Sequence, residues 1–310
     1  MLDFKPIAID DKELLQKFFD KVDFRNCDFS FPNIYCWQNY YNTTYAIEDG
    51  FLFIHFKARI HPGYLFPLGE GDLKKAVERL EADAQERKIP FRLFSITAKM
   101  FDLIEEIMPG EFVYEKDRDW FEYIYSSEEL ITLTGKKHQQ KRNHINKFKR
   151  TYASWEYLPI VREIIPDCLK LYRRWCAENG GCNSESSLIE ECVATHRAFD
   201  NFEKLGLIGG ALRINGEILA YSYGSPLGKD TFDIQAEKSL YEIDGGFTMI
   251  NQQFAEHNCA DYTYINREED LGLESLRKAK LSYHPAILLE KGSVYRKKIN
   301  WLNHDFIRKR

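Results

Sequence analysis

The sequence has no apolar run that approaches the roughly 20 residues needed to cross a bilayer. Its start, MLDFKPIAIDDKELL, is too acidic for a secretory signal peptide. The chain holds seven cysteines but no CxxC pair, so the pattern indicates neither a disulfide framework nor a zinc ribbon. These absences predict a soluble, cytoplasmic protein with reduced thiols and no metal site.

Disorder is excluded as a description of the whole chain, because 44% of its residues are hydrophobic and 15% are aromatic. At 310 residues, the chain exceeds the roughly 250 to 300 residues at which a single hydrophobic core stops growing. We therefore predict two lobes, residues 1–125 and residues 126–310, the second carrying the candidate active site.

The order of the predicted elements indicates the fold class. In the second half, two helices precede a meander with a turn at Asn215–Gly216, and helix, strand, helix and strand follow. This is the order of a GNAT-type acyltransferase domain. The first half repeats it more loosely, with a hairpin turn at Asp49–Gly50 between amphipathic helices. The sequence therefore predicts an α/β protein with mixed sheets and two GNAT-like lobes in tandem.

Three stretches carry a family resemblance: TGKKHQQKRNHINKFKR, IQAEKSLYEIDGGFTMINQQFAEH and INREEDLGLESLRKAKLSYHPAILLEK. They are similar to the signature segments of the family named for the C-terminal domain of phosphatidylglycerol lysyltransferase, formerly a domain of unknown function. The resemblance implies a tandem GNAT-like fold and an aminoacyl-tRNA donor. Members that modify phosphatidylglycerol carry a large membrane-spanning part ahead of this region. This sequence shows none, so a lipid acceptor is not the expectation.

One basic segment stands out in a chain of net charge −5: seven of the sixteen residues from Gly135 to Arg150 are Lys or Arg, and none is acidic. As a helix, the segment would bury a narrow stripe of Ile145, Phe148 and Tyr152. Its cations form either a solvated charged face or a site for phosphates, which Arg binds through its fork and Lys as a point charge. The candidate phosphate-binding residues are Lys137, Lys141, Arg142, His144 and Lys147.

The candidate reaction centre lies where the two central strands of a GNAT fold splay apart, here DTFDIQAEK and DYTYIN. Acyl transfer needs a base and donors for an oxyanion. Glu237 or Asp270 is the expected base. Lys238, Asn266 and Arg267 are expected at the same fork. The alternatives are a strand-end ion pair for Glu237 and Lys238, and a helix N-cap for Asp270.

Two further sites come from the GNAT pattern and the resemblance. Gly245 and Gly246 precede a helix, where GNAT enzymes cradle coenzyme A pyrophosphate. The fuller glycine pattern is absent, and a helix-entry turn is the alternative. In LRKAKLSYHP, Lys280 matches a family lysine that the resemblance places near the donor's terminal phosphate or the oxyanion, although Ala279 departs from the usual aromatic residue. The alternative for Lys280 is a solvent-facing helix lysine.

Taken together, the sequence predicts a transferase that moves an aminoacyl group from aminoacyl-tRNA to an unknown amine or hydroxyl acceptor. Because the aminoacyl ester is already activated, no metal or redox cofactor is expected. The alternatives are an acyl-CoA-dependent N-acyltransferase and a non-catalytic RNA- or anion-binding protein. The aromatic patch FSFPNIYCWQNYY is expected in the core, with a groove lining as the alternative.

Overall fold

The computed structural model of the chain describes residues 1–58, 61–181 and 188–297. The helices of these ranges are α1 Lys12–Phe19, α2 Phe31–Tyr41, α3 Leu73–Arg87, α4 Ala98–Ile107, α5 Ser127–Thr132, α6 Gln139–Thr151, α7 Ile165–Glu178, α8 Ile189–Asp200, α9 Phe202–Leu205, α10 Gly246–Asn258 and α11 Glu274–Leu281. The strands are β1 Lys5–Pro6, β2 Thr44–Glu48, β3 Phe51–Ala58, β4 His61–Tyr64, β5 Leu68–Gly69, β6 Leu93–Thr97, β7 Phe112–Lys116, β8 Glu122–Ser126, β9 Trp155–Pro159, β10 Ile208–Ile214, β11 Glu217–Leu227, β12 Thr231–Ser239, β13 Tyr264–Glu269, β14 Ile287–Leu289 and β15 Lys291–Arg296.

These strands form two mixed sheets. The first sheet has the order β1-β2-β3-β4-β6-β15-β7, with β5 paired to β3, and the second has the order β14-β8-β13-β12-β11-β10-β9. Each contains one parallel pair, β4 with β6 and β12 with β13, among antiparallel neighbours. Both sheets pack against helices, as their buried aliphatic and aromatic faces require. The predicted α/β class is confirmed.

Each half of the chain contributes its last described strand to the sheet of the other half. Strand β8 lies in the second sheet, between β14 and β13, while β15 inserts between β6 and β7 of the first sheet. The last strand predicted for the second half falls in the stretch AILLEK, which divides between β14 in one sheet and the first residue of β15 in the other. The boundary between residues 125 and 126 stays a prediction, and the last described strand returns across it.

Both predicted hairpin turns form. Asp49 and Gly50 have φ values of 50° and 81°, and they join the paired residues Glu48 and Phe51. Asn215 and Gly216 adopt 50° and 87°. Two consecutive positive φ values suit a type I′ turn, whose twist matches that of the strands it joins.

Helix α2 carries most of the aromatic patch, and its side chains divide between the core, as expected, and the surface. Its N-cap is Ser30, whose hydroxyl accepts a hydrogen bond from the backbone N–H of Asn33. Phe31 and Tyr35 are buried in the core, as expected. Tyr40, however, is 42% exposed on the other side of the helix. That side of α2 is turned towards the junction of the two sheets.

Candidate active site at the fork of β12 and β13

The fork predicted between the two central strands is present. Parallel pairing is confined to Thr231–Asp233 of β12 and Tyr264–Asn266 of β13, and the strands separate beyond it. At the point of separation, the pairing of β13 with β8 shifts between Asn266 and Glu269. Glu268 there has a φ of 55°, in the left-handed region that non-glycine residues seldom adopt. This bulge fixes which way the side chains after Asn266 point.

On the side of the sheet that α10 covers, called here the α10 face, Arg267 and Glu237 bridge the open fork. Arg267 Nη2 donates to Glu237 Oε1 at 3.0 Å, and Asn251 Nδ2 of α10 donates to Glu237 Oε2 at 3.0 Å. Burial lowers the pKa of Arg267, but the charge of Glu237, the nearby Tyr125 and Tyr283 and the hydrogen bond to Glu237 together outweigh it and hold the pKa above its ordinary value. Arg267 Nη1 is buried without a hydrogen-bond partner among the described residues. One N–H donor group of this cation therefore lacks a hydrogen-bond acceptor inside the fork.

Lys141 of α6 reaches the same face. Its Nζ donates to Ser282 Oγ at 2.7 Å and lies 3.7 Å from the centroid of the Tyr283 ring. The guanidinium of Arg267 is 5.0 Å from the centroid of that ring. Burial and, next, the charge of Arg267 lower the pKa of Lys141 to about 8. The basic helix therefore contributes one partly buried cation directly to the fork.

Lys280 lies behind the fork and is 8% exposed, which excludes the solvent-facing alternative. Its Nζ donates to the backbone carbonyls of Arg267, at 2.5 Å, and of Glu269. Burial and the charge of Arg267 lower the pKa of Lys280 to about 8. The ammonium spans the bulge around Glu268, so Lys280 holds the backbone that aims Arg267.

The other cations of the basic segment serve local structure. Lys137 pairs with Glu129, and Lys147 pairs with Asp244. The guanidinium of Arg142 donates to the carbonyls of Leu133, which follows α5, and of Gly135. It also donates to the side chain of Gln139, the first residue of α6. His144 is half-buried beside them, on α6. These residues border the fork but are not brought into it.

Two predicted fork residues, Lys238 and Asn266, lie elsewhere. Lys238 points to the opposite face of the sheet, where its Nζ pairs with Glu191 and covers the Trp175 ring at 3.7 Å. Asn266 is fully buried and donates to the backbone carbonyl of Arg25 at 2.8 Å and to the Glu122 carboxylate. The alternative interpretation of Glu237 and Lys238 as a strand-end ion pair is wrong, because neighbouring strand residues point to opposite faces.

Asp270 is fully buried and surrounded by hydrogen-bond donors. Its carboxylate accepts hydrogen bonds from Arg118, Arg277 and Tyr123 and from the backbone of Gly272. Burial raises the pKa of Asp270, but these hydrogen bonds outweigh it and hold the pKa well below its usual range. The N-cap of α11 is Leu273, so Asp270 caps the preceding turn instead of the helix. A carboxylate so enclosed is a poor proton acceptor.

Gly245 and Gly246 admit a close approach of α6 to α10. Gly245 has a φ of 77°, and a Cβ there would lie 2.9 Å from the backbone oxygen of His144. A Cβ on Gly246 would lie 2.2 Å from Ser239 Oγ. Protein atoms occupy the space next to both glycines, which favours the helix-entry turn over a pyrophosphate cradle.

A second charged site, which the sequence analysis missed, lies on the opposite side of the fork, between the two sheets. Lys291 is fully buried, and its Nζ pairs with Asp28 at 2.7 Å, Glu122 at 2.5 Å and Glu269 at 2.5 Å. We call these four residues the junction cluster. Burial lowers the pKa of Lys291, but the three carboxylates raise it well above its ordinary value. The charge run NREED and a lysine at the end of an apolar strand were the available signals.

The three carboxylates of the junction cluster, together with Cys27, are arranged as the ligands of a metal ion could be. Ligand atoms of Cys27, Asp28, Glu122 and Glu269 lie within 4.8 Å of one another. The ammonium of Lys291 contacts the three carboxylates of that group, so it takes the place that a metal ion would occupy. Burial and the nearby carboxylates raise the pKa of the Cys27 thiol well above its usual range, which keeps it protonated and a weak ligand.

Comparison with known proteins decides the family. A family model described as "Phosphatidylglycerol lysyltransferase, C-terminal" matches residues 19–295. The chain belongs to this family. Among residues 1–58, 61–181 and 188–297, no helix combines the length and apolar character needed to cross a membrane.

Solved structures of similar proteins support the assignment. A conserved protein of unknown function from Bacteroides thetaiotaomicron is 43% identical, with 96% of this chain and 100% of that chain covered and a TM-score of 0.91. L-PGS from Bacillus licheniformis is 16% identical, with 95% and 94% covered and a TM-score of 0.65. FemX is 10% identical, with 99% and 100% covered and a TM-score of 0.58. The last two show the fold alone, and the predicted tandem GNAT-like architecture is confirmed.

An uncharacterized protein of Mycoplasmoides gallisepticum is 26% identical over 173 residues, and the match covers 54% of each protein. The chain thus spans about half the length of this curated relative. The family model and the solved structures agree on a GNAT-like fold for the chain.

Proposed function

We propose that this chain transfers an aminoacyl group from aminoacyl-tRNA to an amine or hydroxyl acceptor at the α10 face of the fork. The proposal rests on Arg267. Its guanidinium lies where the two strands separate, and its Nη1 is buried without a hydrogen-bond partner among the described residues. An anion or a developing oxyanion supplies the partner that this nitrogen lacks. Charged tRNA is made in the cytoplasm, so the cytoplasmic location predicted from the sequence belongs to the same proposal.

The donor side of the proposal rests on the cations next to the fork. Lys141 stands beside Arg267 over the same aromatic ring. Two cations in a partly buried site attract the phosphate next to an aminoacylated ribose, and phosphate contacts position nucleic acid without reading its sequence. Helix α6 packs against α10, and Lys149 and Arg150 near its end are exposed.

The chemistry assigns a role to each residue of the α10 face. The acceptor nitrogen or oxygen attacks the carbonyl carbon of the aminoacyl ester, and the bond from that carbon to the ribose oxygen breaks. Arg267 stabilises the oxyanion that forms between these events. Glu237 takes the acceptor's proton and returns it to the ribose oxygen. Lys280 positions Arg267, since it contacts the backbone of the bulge and not the open fork.

Two alternatives differ in what they bind. An acyl-CoA enzyme needs a pyrophosphate cradle at Gly245 and Gly246, but the backbone of α6 already packs there. A non-catalytic RNA-binding protein has no use for a carboxylate that orients a buried arginine inside the fork. Glu237 and Asn251 therefore favour the transferase.

Filter binding tests the donor. The purified protein is titrated with a total aminoacylated tRNA pool, with deacylated tRNA and with coenzyme A across a salt series. We expect charged tRNA to bind tightest and to weaken as salt rises. The Lys141→Gln variant should bind about tenfold more weakly, with a salt slope lower by about one.

The matched control is Lys170→Gln. Lys170 lies on α7, pairs with Glu217 and has a 60% exposed side chain, away from the α10 face. Its removal should leave charged-tRNA binding unchanged. Equal binding of charged and deacylated tRNA would favour the RNA-binding protein, and retention of coenzyme A in place of tRNA would favour the acyl-CoA enzyme. Either result contradicts the proposal.

A further inference from the structure

We propose that the face of the fork opposite α10, called here the junction face, binds a primary ammonium group between Asp233, Glu268 and the aromatic side chains of α2. The inference deepens the proposed function, because it names the chemistry of a group that meets the donor ester at the fork. It rests on that function only for the origin of the ammonium. The site itself is argued from the residues of the junction face.

The junction face already holds one ammonium. Lys291 Nζ donates to three carboxylates in a fully buried setting, so the local arrangement suits the three N–H donors of an –NH₃⁺ group. The buried ammonium is stable there because each N–H has an anionic acceptor. The same face therefore shows which kind of cation its carboxylates accept.

Two more carboxyl groups lie beyond the reach of Lys291. Asp233 is fully buried, and its oxygens accept no full hydrogen bond among the described residues, although the Gln235 side chain is close enough to lower its pKa through a weak one. Glu268 follows two residues after Asn266, which is the parallel partner of Asp233. Its Oε1 accepts one hydrogen bond, from Asn33 Nδ2 at 3.1 Å. A buried carboxyl without a partner is costly, and a cationic ligand would supply one.

The pKa values of both carboxyl groups are raised, as expected of buried acids without a paired cation. Burial raises the pKa of Asp233 well above its usual range, and the charges of Glu122 and Glu269 raise it further, against a small opposing effect of Gln235. Burial, with Asp233 and Glu269, likewise raises the pKa of Glu268, which Lys280 opposes. A cation bound between Asp233 and Glu268 would reverse these shifts, so its binding should release protons.

Helix α2 adds aromatic faces to the same site. Asn33 of α2 contacts Glu268 directly. Burial raises the pKa of Tyr41, and the charges of Glu269 and Asp28 raise it further. The Tyr40 and Tyr41 rings lie 4.7 Å apart. Aromatic faces next to carboxylates recognise organic ammonium ions through cation–π attraction, in contrast to the all-oxygen shells of hard metal ions.

A ligand has a route to this face. The Asp28 side chain is 32% exposed and that of Glu269 is 17% exposed, although Lys291 between them is buried. Tyr40 is 42% exposed at the outer side of α2. Asp28 and Glu269, whose charges raise the pKa of Asp233, thus form a solvent-accessible rim beside it.

Two sources share this chemistry. An acceptor amine would bring the attacking nitrogen. Its ammonium would first give one proton to the carboxylate of Asp233 or Glu268, which frees the lone pair for the attack, and Glu237 would take the next proton. The aminoacyl group of the donor would instead bring its own α-ammonium. The probes are n-butylammonium, which stands for an acceptor amine, and glycinamide, which stands for an aminoacyl group. n-Butanol is the neutral control of similar shape.

The test is isothermal titration calorimetry of the full chain with each probe, in phosphate and in HEPES buffer, neither of which contains a primary ammonium group. We expect saturable binding of an ammonium probe, no binding of n-butanol, and a buffer-dependent heat that reports proton release. The Asp233→Asn and Glu268→Gln variants should each bind at least about tenfold more weakly, as expected when one charged contact is removed. The Glu242→Gln variant is the control, because Glu242 is 60% exposed and pairs with Arg174.

Thermal melting separates a binding role from a structural one. Asp233→Asn removes an ionisable group without changing the shape of the side chain, so the variant should melt no lower than the wild type while losing the probe. A lower melting temperature together with unchanged probe affinity would overturn the proposal. So would the absence of saturable binding of either ammonium probe.

Competition with charged tRNA identifies the source. If the ammonium belongs to the donor, aminoacyl-tRNA displaces the probe and N-acetylated aminoacyl-tRNA does not. If it belongs to the acceptor, the probe stays bound beside either tRNA. Probe binding without any tRNA binding would refute the proposed function and leave the ammonium site standing, whereas tRNA binding without probe binding would do the reverse.

Discussion

The two faces of the fork carry opposite charge, although the same two strands build both. The α10 face presents Arg267 and Lys141 with one carboxylate, Glu237. The junction face presents several carboxyl groups around one ammonium, that of Lys291. The difference teaches that a fork between strands can separate an anion-binding site from a cation-binding site by the thickness of one sheet.

Strand alternation produces most of this separation, and the bulge produces the rest. Glu237 contacts α10, while its neighbour Lys238 contacts α7 and α8. On β13, Arg267 turns to the α10 face, but Glu268 and Glu269 both contact groups of the junction face. Regular alternation would send one of two consecutive residues to each side. The left-handed φ of Glu268 breaks the alternation and delivers both carboxylates to one face.

The strongest way to break the contrast is to remove the internal ammonium. Lys291→Met leaves buried carboxylates without their cation, so the free energy of unfolding should fall by about 3–5 kcal/mol. Urea denaturation measures it. The control is Lys116→Met, which removes a 49% exposed partner of Glu290 and should cost less than about 1 kcal/mol. Equal losses in the two variants would contradict a structural role for the junction cluster.

Removing Lys280, which bonds the backbone on both sides of the bulge, should disturb both faces at once. In Lys280→Met the carbonyls of Arg267 and Glu269 lose their shared donor, so Arg267 is misplaced. We expect aminoacyl transfer to slow by about 100-fold. The affinity for charged tRNA should change much less, because Lys280 does not face the open fork.

Lys278→Met is the control for that variant. Lys278 lies on the same helix and is exposed, so its removal should leave the transfer rate unaltered. If Lys280→Met instead weakens tRNA binding without slowing transfer of bound donor, then Lys280 contacts the donor directly and the positioning role is refuted.

A pH series sharpens the charge of the α10 face. Lys141 loses its proton as the pH rises through its pKa of about 8. Affinity for charged tRNA should therefore fall by about tenfold between about pH 7 and pH 9, in step with the protonated fraction. In Lys141→Arg the fall should disappear from this range. A fall that persists in the arginine variant would assign the titration to Lys280 and count against Lys141 as a donor contact.

The smallest effect concerns the junction face and has the opposite sign. Because the pKa of Asp233 is raised in the folded state, unfolded chains lose this proton first as the pH rises above the ordinary value of 3.8. Wild-type stability is therefore penalised progressively with rising pH, by about 1.4 kcal/mol for each unit of the shift. Asp233→Asn should escape the penalty, so its advantage in urea denaturation should widen from about pH 5 to pH 8. A constant or shrinking difference would contradict the assignment.

Local patterns predicted the fold well. Asp49–Gly50 and Asn215–Gly216 define their turns by backbone preference alone, and the amphipathic period of α3 is visible in its letters. The splayed strands also followed from element order. Strand β15 did not, because a short strand at the end of the second half carries no local sign of the sheet it joins.

The candidate site was harder to predict, because it depends on long-range pairing. Arg267 with Glu237 was within reach, since the fork brings the ends of two predicted strands together. The junction cluster was not, because Asp28 and Lys291 are far apart in sequence and meet only through the insertion of β15. Asp270 was misjudged as a possible base for a similar reason: its partner Arg118 lies in the other half of the chain.

One measurement tests the central claim most directly: aminoacyl transfer from charged tRNA to n-butylamine, followed as the labelled amide. The account predicts protein-dependent amide formation that is lost in Arg267→Met, which disables the α10 face, and strongly reduced in Asp233→Asn, which disables the junction face. Lys170→Gln should form the amide at the wild-type rate. Charged tRNA that binds tightly but yields no amide or other labelled product with any amine or hydroxyl acceptor would contradict the account and leave an RNA-binding protein in its place.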